Sequence, residues 1–525
     1  MLIIDIETTG LKPWNSDIKL ITCLEGSSLS FYTEVTPELQ QKLADENLVK
    51  VFHNASFDVG FLEWNGYTVS NVECTWVMAK VLEEWSCKLK DLAEKYLGII
   101  IDKDLQHGDN WLQELTQEHY DYALKDVEVT QQLYHSLKKQ LEAKGLLQVY
   151  WRENKANAII SKLNNHGICF DFKGWDSVLN DDRYEMIQLE EDIKKLLQNE
   201  KINLNSPQQL IQAFKKMGLD IPSTSDDVLA LHEDKHPVLP LIRKYRRKGI
   251  KVRTYGDKLQ NAICSDGRLR ADWKIIGATS GRMVCKNPPL QAMPGKSKEF
   301  FRPEQGNKFV IADYSQIELR VLAEIADDVR LKGQFEGELD LHKGTAALIF
   351  QKEASEVTKE ERQVAKSLNF GMAYGITEYG IQKNLVKSGL EVSLEQAKQY
   401  RLQFLEVYPQ VQKLQDRLLQ SVAVRSLGGR RWESERLTLT QRLNYPIQGS
   451  AADGLKEALI LLNEQLRINW RICAIIHDEV VLEIPEQEAE EAKEVLETCM
   501  ITGMKKIINH VPVEVEATIQ DYWTK

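Results

Sequence analysis

At 525 residues the chain is too long for one hydrophobic core and predicts three or four domains of about 100–200 residues each. Its 43% hydrophobic and 28% charged residues are those of a soluble globular protein, no apolar run approaches the roughly 20 residues of a membrane-spanning helix, and Asp5 and Glu7 interrupt the N-terminal stretch where a signal peptide would be basic and then apolar. Eight cysteines without a CxxC pair exclude a disulfide framework and a zinc site and fit a reducing cytoplasm, while a net charge of −11 weighs against a nucleic-acid partner unless the cations are clustered.

Along the chain, Leu2-Ile3-Ile4 predicts a buried strand with Asp5 and Glu7 at its end, on the same side because side chains alternate along a strand. Paired carboxylates there are costly unless they bind a cation or are solvated. The run VKVF predicts a second strand, followed by Asn54 as helix N-cap and Asp58 in the first turns of that helix. The first hundred residues therefore read as an α/β domain. A long helix follows from Thr116 to Lys144 and stops at Gly145, with Tyr122 and Asp126 one turn apart on one face. Four carboxylates and a phenol in this order suit two-metal phosphodiester hydrolysis, in which hard Mg²⁺ ions take carboxylate oxygens and Tyr122 orients the attacking water. Each carboxylate taken alone reads as a solvated loop acid.

From about residue 150 to 260 the pattern is helical and charged, interrupted by turn-like NSPQQ and PSTSDD. The stretch Arg243 to Arg253 holds seven basic residues and no acidic one, which reads either as a solvated face or as a phosphate-binding surface. Further on, KFVIAD predicts a strand delivering Asp313, with a helix N-terminal cap as the alternative role for that residue. In RQVAKSLNFGMAYG, Arg362, Lys366, Phe370 and Tyr374 recur every fourth residue. Each step drifts only about 40° around a helix, so they form one shallow spiral. Two cations followed by two aromatics suit a nucleoside triphosphate: Arg362 and Lys366 for phosphates, Phe370 and Tyr374 for sugar and base, with Lys366 able to protonate the pyrophosphate leaving group. Finally ICAIIHDEVVLEIP predicts a hairpin with Asp478 at its turn. Asp313 and Asp478 on one sheet would hold two Mg²⁺ for phosphoryl transfer.

Asp5-x-Glu7, the Asn54 to Phe57-Asp58 block and Tyr122-x₃-Asp126 resemble the three motifs of the DEDDy 3'-5' exonucleases. The related DEDDh group carries His where Asp121 stands, so Tyr122 selects the subclass; an RNase D-like ribonuclease stays open on this domain alone. DYSQIELR, RxxxKxxxFGxxYG and HDE resemble motifs A, B and C of the family A, bacterial polymerase I-like DNA polymerases. LNSPQQL, STS, TSGRMVCKNPPLQAMP, LDLHKGTA, LEVYPQV, SLGGRRW and LNYPIQGSAAD match further blocks in order. The resemblance implies an RNase H-like α/β exonuclease domain over 1–147 and a right-hand polymerase domain over 148–525. The latter would comprise a mostly helical thumb (150–265), an antiparallel-sheet palm (266–340 and 435–525) and helical fingers (341–434).

It also implies residue roles. Asp313 and Asp478 would be metal ligands assisted by Glu479, with Lys366 catalytic. Asp5, Glu7, Asp58 and Asp126 would hold the exonuclease metals beside Tyr122. Gln316, His342, Arg362, Lys366, Phe370 and Tyr374 would bind the dNTP, Phe370 being associated with rejection of dideoxynucleotides, and Glu318 would be the steric gate against a ribose 2'-OH. Arg282, Gln291, Asn444 and Gln448 would contact DNA near the primer terminus, His477 the primer end, and Arg246, Arg247, Lys251 and Arg253 the duplex phosphates. One departure is that Thr440 stands where the family commonly has Arg, with Arg442 displaced by two. Two Mg²⁺ per active site are implied, Mn²⁺ being able to substitute. The implied partners are primer-template DNA and dNTPs, with a helicase-primase or single-strand binding protein, for a cytoplasmic monomer in a bacterium or phage-infected host. No insertion for a processivity partner and no 5'-nuclease are seen, and Met1 lying directly on the exonuclease strand favours a phage replicative enzyme over a bacterial repair enzyme.

Overall fold

The computed structural model describes residues 1–102, 104–105, 108–337 and 340–524, and its chain contacts divide into two units. The first unit holds Met1–His166, Trp273–Cys285 and Val310–Ile519; the second holds Gly167–Asp272, Lys286–Phe309 and Gln520–Lys525.

The N-terminal part of the first unit is a five-stranded sheet of β1 (Leu2–Thr8), β2 (Ile18–Glu25), β3 (Ser28–Tyr32), β4 (Lys50–Phe52) and β5 (Val72–Cys74) in the order β3-β2-β1-β4-β5. The apolar run of β1 is central because it is covered on both sides, pairing antiparallel with β2 and parallel with β4. A register shift follows Glu7, a bulge at the end of the carboxylate pair. The predicted long helix spans Gln117–Ala143, begun by a reciprocal cap between Thr116 and His119 and ended by Gly145 at φ +65°. A connector helix, Leu147–His166, then packs against the helix Ala55–Trp64 and against the long helix Leu439–Gln465, all within the first unit.

The rest of the first unit centres on a four-stranded sheet in which the hairpin Arg471–Ile476 and Glu479–Pro485 lies beside the strand Asn307–Tyr314, with Val515–Gln520 on its far side. The helices Leu439–Gln465 and Ala489–Lys505 pack closely, and a Cβ at Gly503 would lie 2.2 Å from the backbone nitrogen of Ala458. Because backbone cannot yield as a side-chain tip can, Gly503→Ala is expected to destabilise the protein by about 2 kcal/mol or more, visible as a lowered Tm.

The second unit is mainly helical, with Phe172–Leu196, Pro207–Lys216, Asp226–Leu231 and Val238–Val252 closing around Ile193, Leu210, Phe214, Leu229, Leu239 and Ile242. The turn-like NSPQQ and PSTSDD prove to be helix starts. Ser206 accepts from Gln209 N and places Pro207 in the first turn, and Ser225 occupies the N-cap position before Asp226. Ser, Asp and Pro serve turns and helix N-termini by the same local hydrogen bonding and fixed φ, which is why the two readings coincide. None of the eight cysteines forms a disulfide, and among the described residues no helix is long and apolar enough to cross a membrane.

Candidate active sites

Strand alternation in β1 buries Ile4 and Ile6 and leaves Asp5 and Glu7 half-buried on the other side. The long helix Gln117–Ala143 brings Asp126 to them, so that carboxylate oxygens of Asp5, Glu7 and Asp126 lie within 4.8 Å of one another. Asp58 stands slightly apart and is almost fully buried. Its Oδ1 accepts from Ile6 N at 3.3 Å, and burial, then the nearby Asp5, push its carboxyl well above the usual range. Tyr122 packs edge-on to Trp111, with ring centroids 6.2 Å apart. Burial and the charges of Asp126, Glu7 and Asp5 raise its phenol, so the hydroxyl keeps its proton and can donate. Asn54 takes the expected N-cap position, yet its side chain makes no capping bond and lines the cleft instead.

The cleft around this cluster also receives His53, Trp76, Lys80, Lys88, Lys90 and Lys274, together with Trp85, which is 99% exposed. These cations and aromatics were missed because they form no motif in sequence. Lys274 enters from a segment expected in the palm.

In the second cluster, Asp313 ends the strand Asn307–Tyr314 and Asp478 sits in the two-residue turn of the adjacent hairpin. Both turns out of the sheet use left-handed backbone at residues other than glycine: His477 at φ +59° and Gln316 at φ +53°. Such conformations cost free energy and persist where the surroundings impose them. Burial, then the charge of Asp313, push the Asp478 carboxyl up to about 6. Glu479 is buried beside it.

A cavity of about 330 Å³ opens onto Asp478 and is lined by Arg282, Gln316, Glu318, Phe370, Tyr374, Lys456 and His477. Arg282 forms an ion pair with Glu318. The side-chain oxygens of Gln316 and Asn444 are buried and find no hydrogen-bond partner among the described residues. An acceptor left so costs about 1–3 kcal/mol, and a donor on a bound ligand would recover it. Asn444 and Gln448 lie one turn apart on Leu439–Gln465. Thr440 is exposed at the start of that helix, while Arg442 donates to Leu419 O at 3.1 Å and so is committed to holding the fold.

The phosphate-binding candidates are not among the residues lining that cavity. Arg362 and Lys366 lie on the helix Lys359–Ala373, two turns and one turn before Phe370. Arg362 forks onto Asp340, Nε to Oδ1 at 3.0 Å and Nη2 to Oδ2 at 2.7 Å, and Lys366 is exposed. His342 is buried and bonded through Nδ1 to Asn369 Nδ2 at 3.0 Å. Burial pushes it down to about 4, so at neutral pH it offers an uncharged ring rather than a cation.

In the second unit the basic run is not the unopposed surface that its sequence suggested. Arg243 and Arg247 pair with Asp226, Lys248 and Lys251 with Asp182, and Lys244 with Glu185. Arg246 donates to the carbonyls of Leu204 and Thr224, and Arg253 to that of Gly249. The acids come from other helices, far away in sequence. Gln291 lies in the short turn Leu290–Ala292 of the same unit.

Comparison with known proteins adds the following. The profile of DNA polymerase family A matches residues 177–525, and that of a 3'-5' exonuclease matches residues 2–142. DNA polymerase I of Aquifex aeolicus is 31% identical over the whole chain and 96% of its own length. That of Chloroflexus aurantiacus is 29% identical over 99% of the chain and 60% of its own length, and that of Caldicellulosiruptor bescii 34% over 65% and 43%. The chain thus spans nearly all of the first relative and well under two thirds of the other two. Among solved structures, the polymerase domain of Pol1 from M. smegmatis, in complex with DNA primer-template and dNTP, superposes with a TM-score of 0.87 at 24% identity, covering 99% of this chain and 95% of that one. At that identity the likeness bears on the fold alone. With both profiles matched in order and a relative similar from end to end, the chain belongs to DNA polymerase family A and carries a 3'-5' exonuclease domain ahead of the polymerase domain.

Proposed function

We propose that this chain extends primed DNA templates from dNTPs by two-metal nucleotidyl transfer and excises mispaired 3' ends by 3'-5' hydrolysis. The observation that carries the reading is the presence of two separate carboxylate clusters, Asp5-Glu7-Asp126 at the exonuclease sheet and Asp313-Asp478 beside a cavity with Arg282, Glu318, Phe370 and Tyr374. Both donor sets fit hard divalent cations. They are all-oxygen, and burial, then the like charges of Asp5 and Asp313, drive Asp58 and Asp478 upward. Bound there, Mg²⁺ or Mn²⁺ would stabilise the attacking and leaving oxygens and the developing phosphoryl charge.

The chain's own groups do the rest. Tyr122 donates to and orients the attacking water in excision. In synthesis, Arg362, Lys366 and neutral His342 hold the triphosphate, so Arg362 must exchange its fork on Asp340 for phosphate oxygens. Lys366 gives its proton to the departing pyrophosphate. Phe370 lies under the sugar and Tyr374 at the template side, while Gln316, Asn444, Gln448, Gln291 and His477 meet the primer and its partner strand. We assign 1–147 to excision and 148–525 to synthesis. Of the four cations expected at the duplex, Arg247, in an exposed pair, is the best placed to exchange its acid for a duplex phosphate, and Lys251 would have to leave the more enclosed Asp182. Primer-template DNA and dNTPs are the ligands this reading requires. The relatives described above are bacterial, and none supports the expected phage origin.

A primed single-stranded template with dNTPs and Mg²⁺ tests the proposal: extension is expected, and its absence overturns synthesis. For the gate, Glu318→Ala is expected to raise ribonucleotide incorporation about 10-fold or more, read as the ratio of kcat/KM for dNTP and rNTP.

A further inference from the structure

Apart from the carboxylate clusters, a dense group of buried charges lies where the connector helix Leu147–His166 meets the long helix Leu439–Gln465. Glu153 and Lys456 are both 0% exposed. Lys456 Nζ donates to Glu153 Oε1 at 2.8 Å and also to the carbonyl oxygen of Gly281. Glu153 in turn accepts from the Arg430 guanidinium. Buried ion pairs are a poor route to stability, because desolvation offsets the attraction and an apolar pair would pack as well. An apolar pair could not hold a backbone carbonyl.

That carbonyl belongs to a tight turn. Gly281 N donates to Ala278 O at 3.0 Å, and Gly277 N and Ala278 N both donate to Arg282 O, at 3.0 and 3.1 Å. Gly281 has φ +93°, and a Cβ there would lie 2.7 Å from Arg430 Nε, so the turn rests directly on that arginine. The two cationic partners of Glu153 are thus the two side chains that grip Gly281. The next residue is Arg282, whose guanidinium enters the cavity and pairs with Glu318.

We infer that Glu153 is a positioning residue for the polymerase nucleotide pocket: it fixes Lys456 and Arg430 against Gly281 and thereby sets where Arg282 meets Glu318. Its neighbours on the connector helix hold the edge of the exonuclease sheet, Asn154 Nδ2 donating to Val72 O at 2.7 Å and the Tyr150 hydroxyl to Glu73 at 3.2 Å. One helix therefore grips the exonuclease sheet with some side chains and the wall of the nucleotide pocket with another. The inference rests on the synthesis reading and adds to it a residue far from every polymerase motif.

The test uses the full chain on a primed template, comparing kcat/KM for dNTP and rNTP, with excision of single-stranded DNA as the reference. Glu153→Gln is expected to lower sugar discrimination at least about 10-fold, through a raised KM for dNTP with kcat largely kept, and to leave excision at the wild-type rate. Glu153→Gln combined with Lys456→Met removes both charges of that pair together and leaves Arg430 a neutral acceptor, and the same loss is expected. Asn463→Ala removes the acceptor of Lys162 Nζ, at 2.7 Å, a bond between the same two helices that involves neither Gly281 nor the turn carrying Arg430, and discrimination is expected to stay unchanged. Wild-type discrimination in either Glu153 variant, or an equal loss in the Asn463 variant, overturns the inference. So does failure of both Glu153 variants to fold while the Asn463 variant folds, since that marks a purely structural role. If the wild type itself does not extend the primer, the synthesis reading falls and the inference with it.

Discussion

Asp478→Asn is expected to reduce primer extension by on the order of 10³-fold or more, and at the same time to raise the Tm of the cation-free protein. The first effect follows from losing a charged oxygen donor beside Asp313. The second follows from the raised Asp478 carboxyl, pushed up to about 6 by burial and by Asp313. An ordinary Asp titrates near 3.9, so between about pH 4 and 6 the folded protein keeps a proton that the unfolded chain releases. The stability from this group is fully present below that window and is lost as pH rises through it. At pH 7 the loss reaches at most about 2–3 kcal/mol, reduced by residual solvent contact. Asn carries no charge and escapes this loss. In the presence of EDTA the Tm advantage of Asp478→Asn should therefore grow from pH 4 to pH 7, and Mg²⁺ should stabilise the wild type more than the variant. Equal pH dependence of the two proteins would count against a strained carboxylate pair.

Asp5→Ala combined with Glu7→Ala is expected to lower excision of a mismatched primer end by about 10³-fold or more while leaving extension of a matched primer unchanged. Two of the three carboxylates that lie within 4.8 Å of one another disappear, and Asp126 is left as the last of that group. Asp478, in a different sheet, is untouched. Gel assays on matched and mismatched primers separate the two activities. Loss of extension in this variant would contradict two independent centres, as would retained excision.

Much of the site was legible in sequence because local rules act over a few residues. Alternation along a strand put Asp5 and Glu7 side by side, a four-residue spacing put Tyr122 and Asp126 on one face, and a two-residue break between apolar runs put Asp478 at a hairpin turn. Gly145 and Thr116 marked their helix ends for equally local reasons. The two misread turns were helix starts, since the same residue types serve both.

What only the tertiary structure decided concerns partners that arrive from a distance. The basic run Arg243 to Arg253 contains no acid, yet Asp182, Glu185 and Asp226 fold onto it from other helices. His342 was expected among the groups that hold the triphosphate, and burial leaves it neutral. Lys274 reaches the exonuclease cleft from a segment assigned to the palm, and Glu153 meets Lys456, Arg430 and the turn of Gly281 across long stretches of chain. The chain by itself determined which chemical groups were available and how neighbouring ones were spaced. Their charge state and final partners depended on burial and on contacts between remote segments, because desolvation and Coulomb interaction are set by distance in space rather than along the sequence.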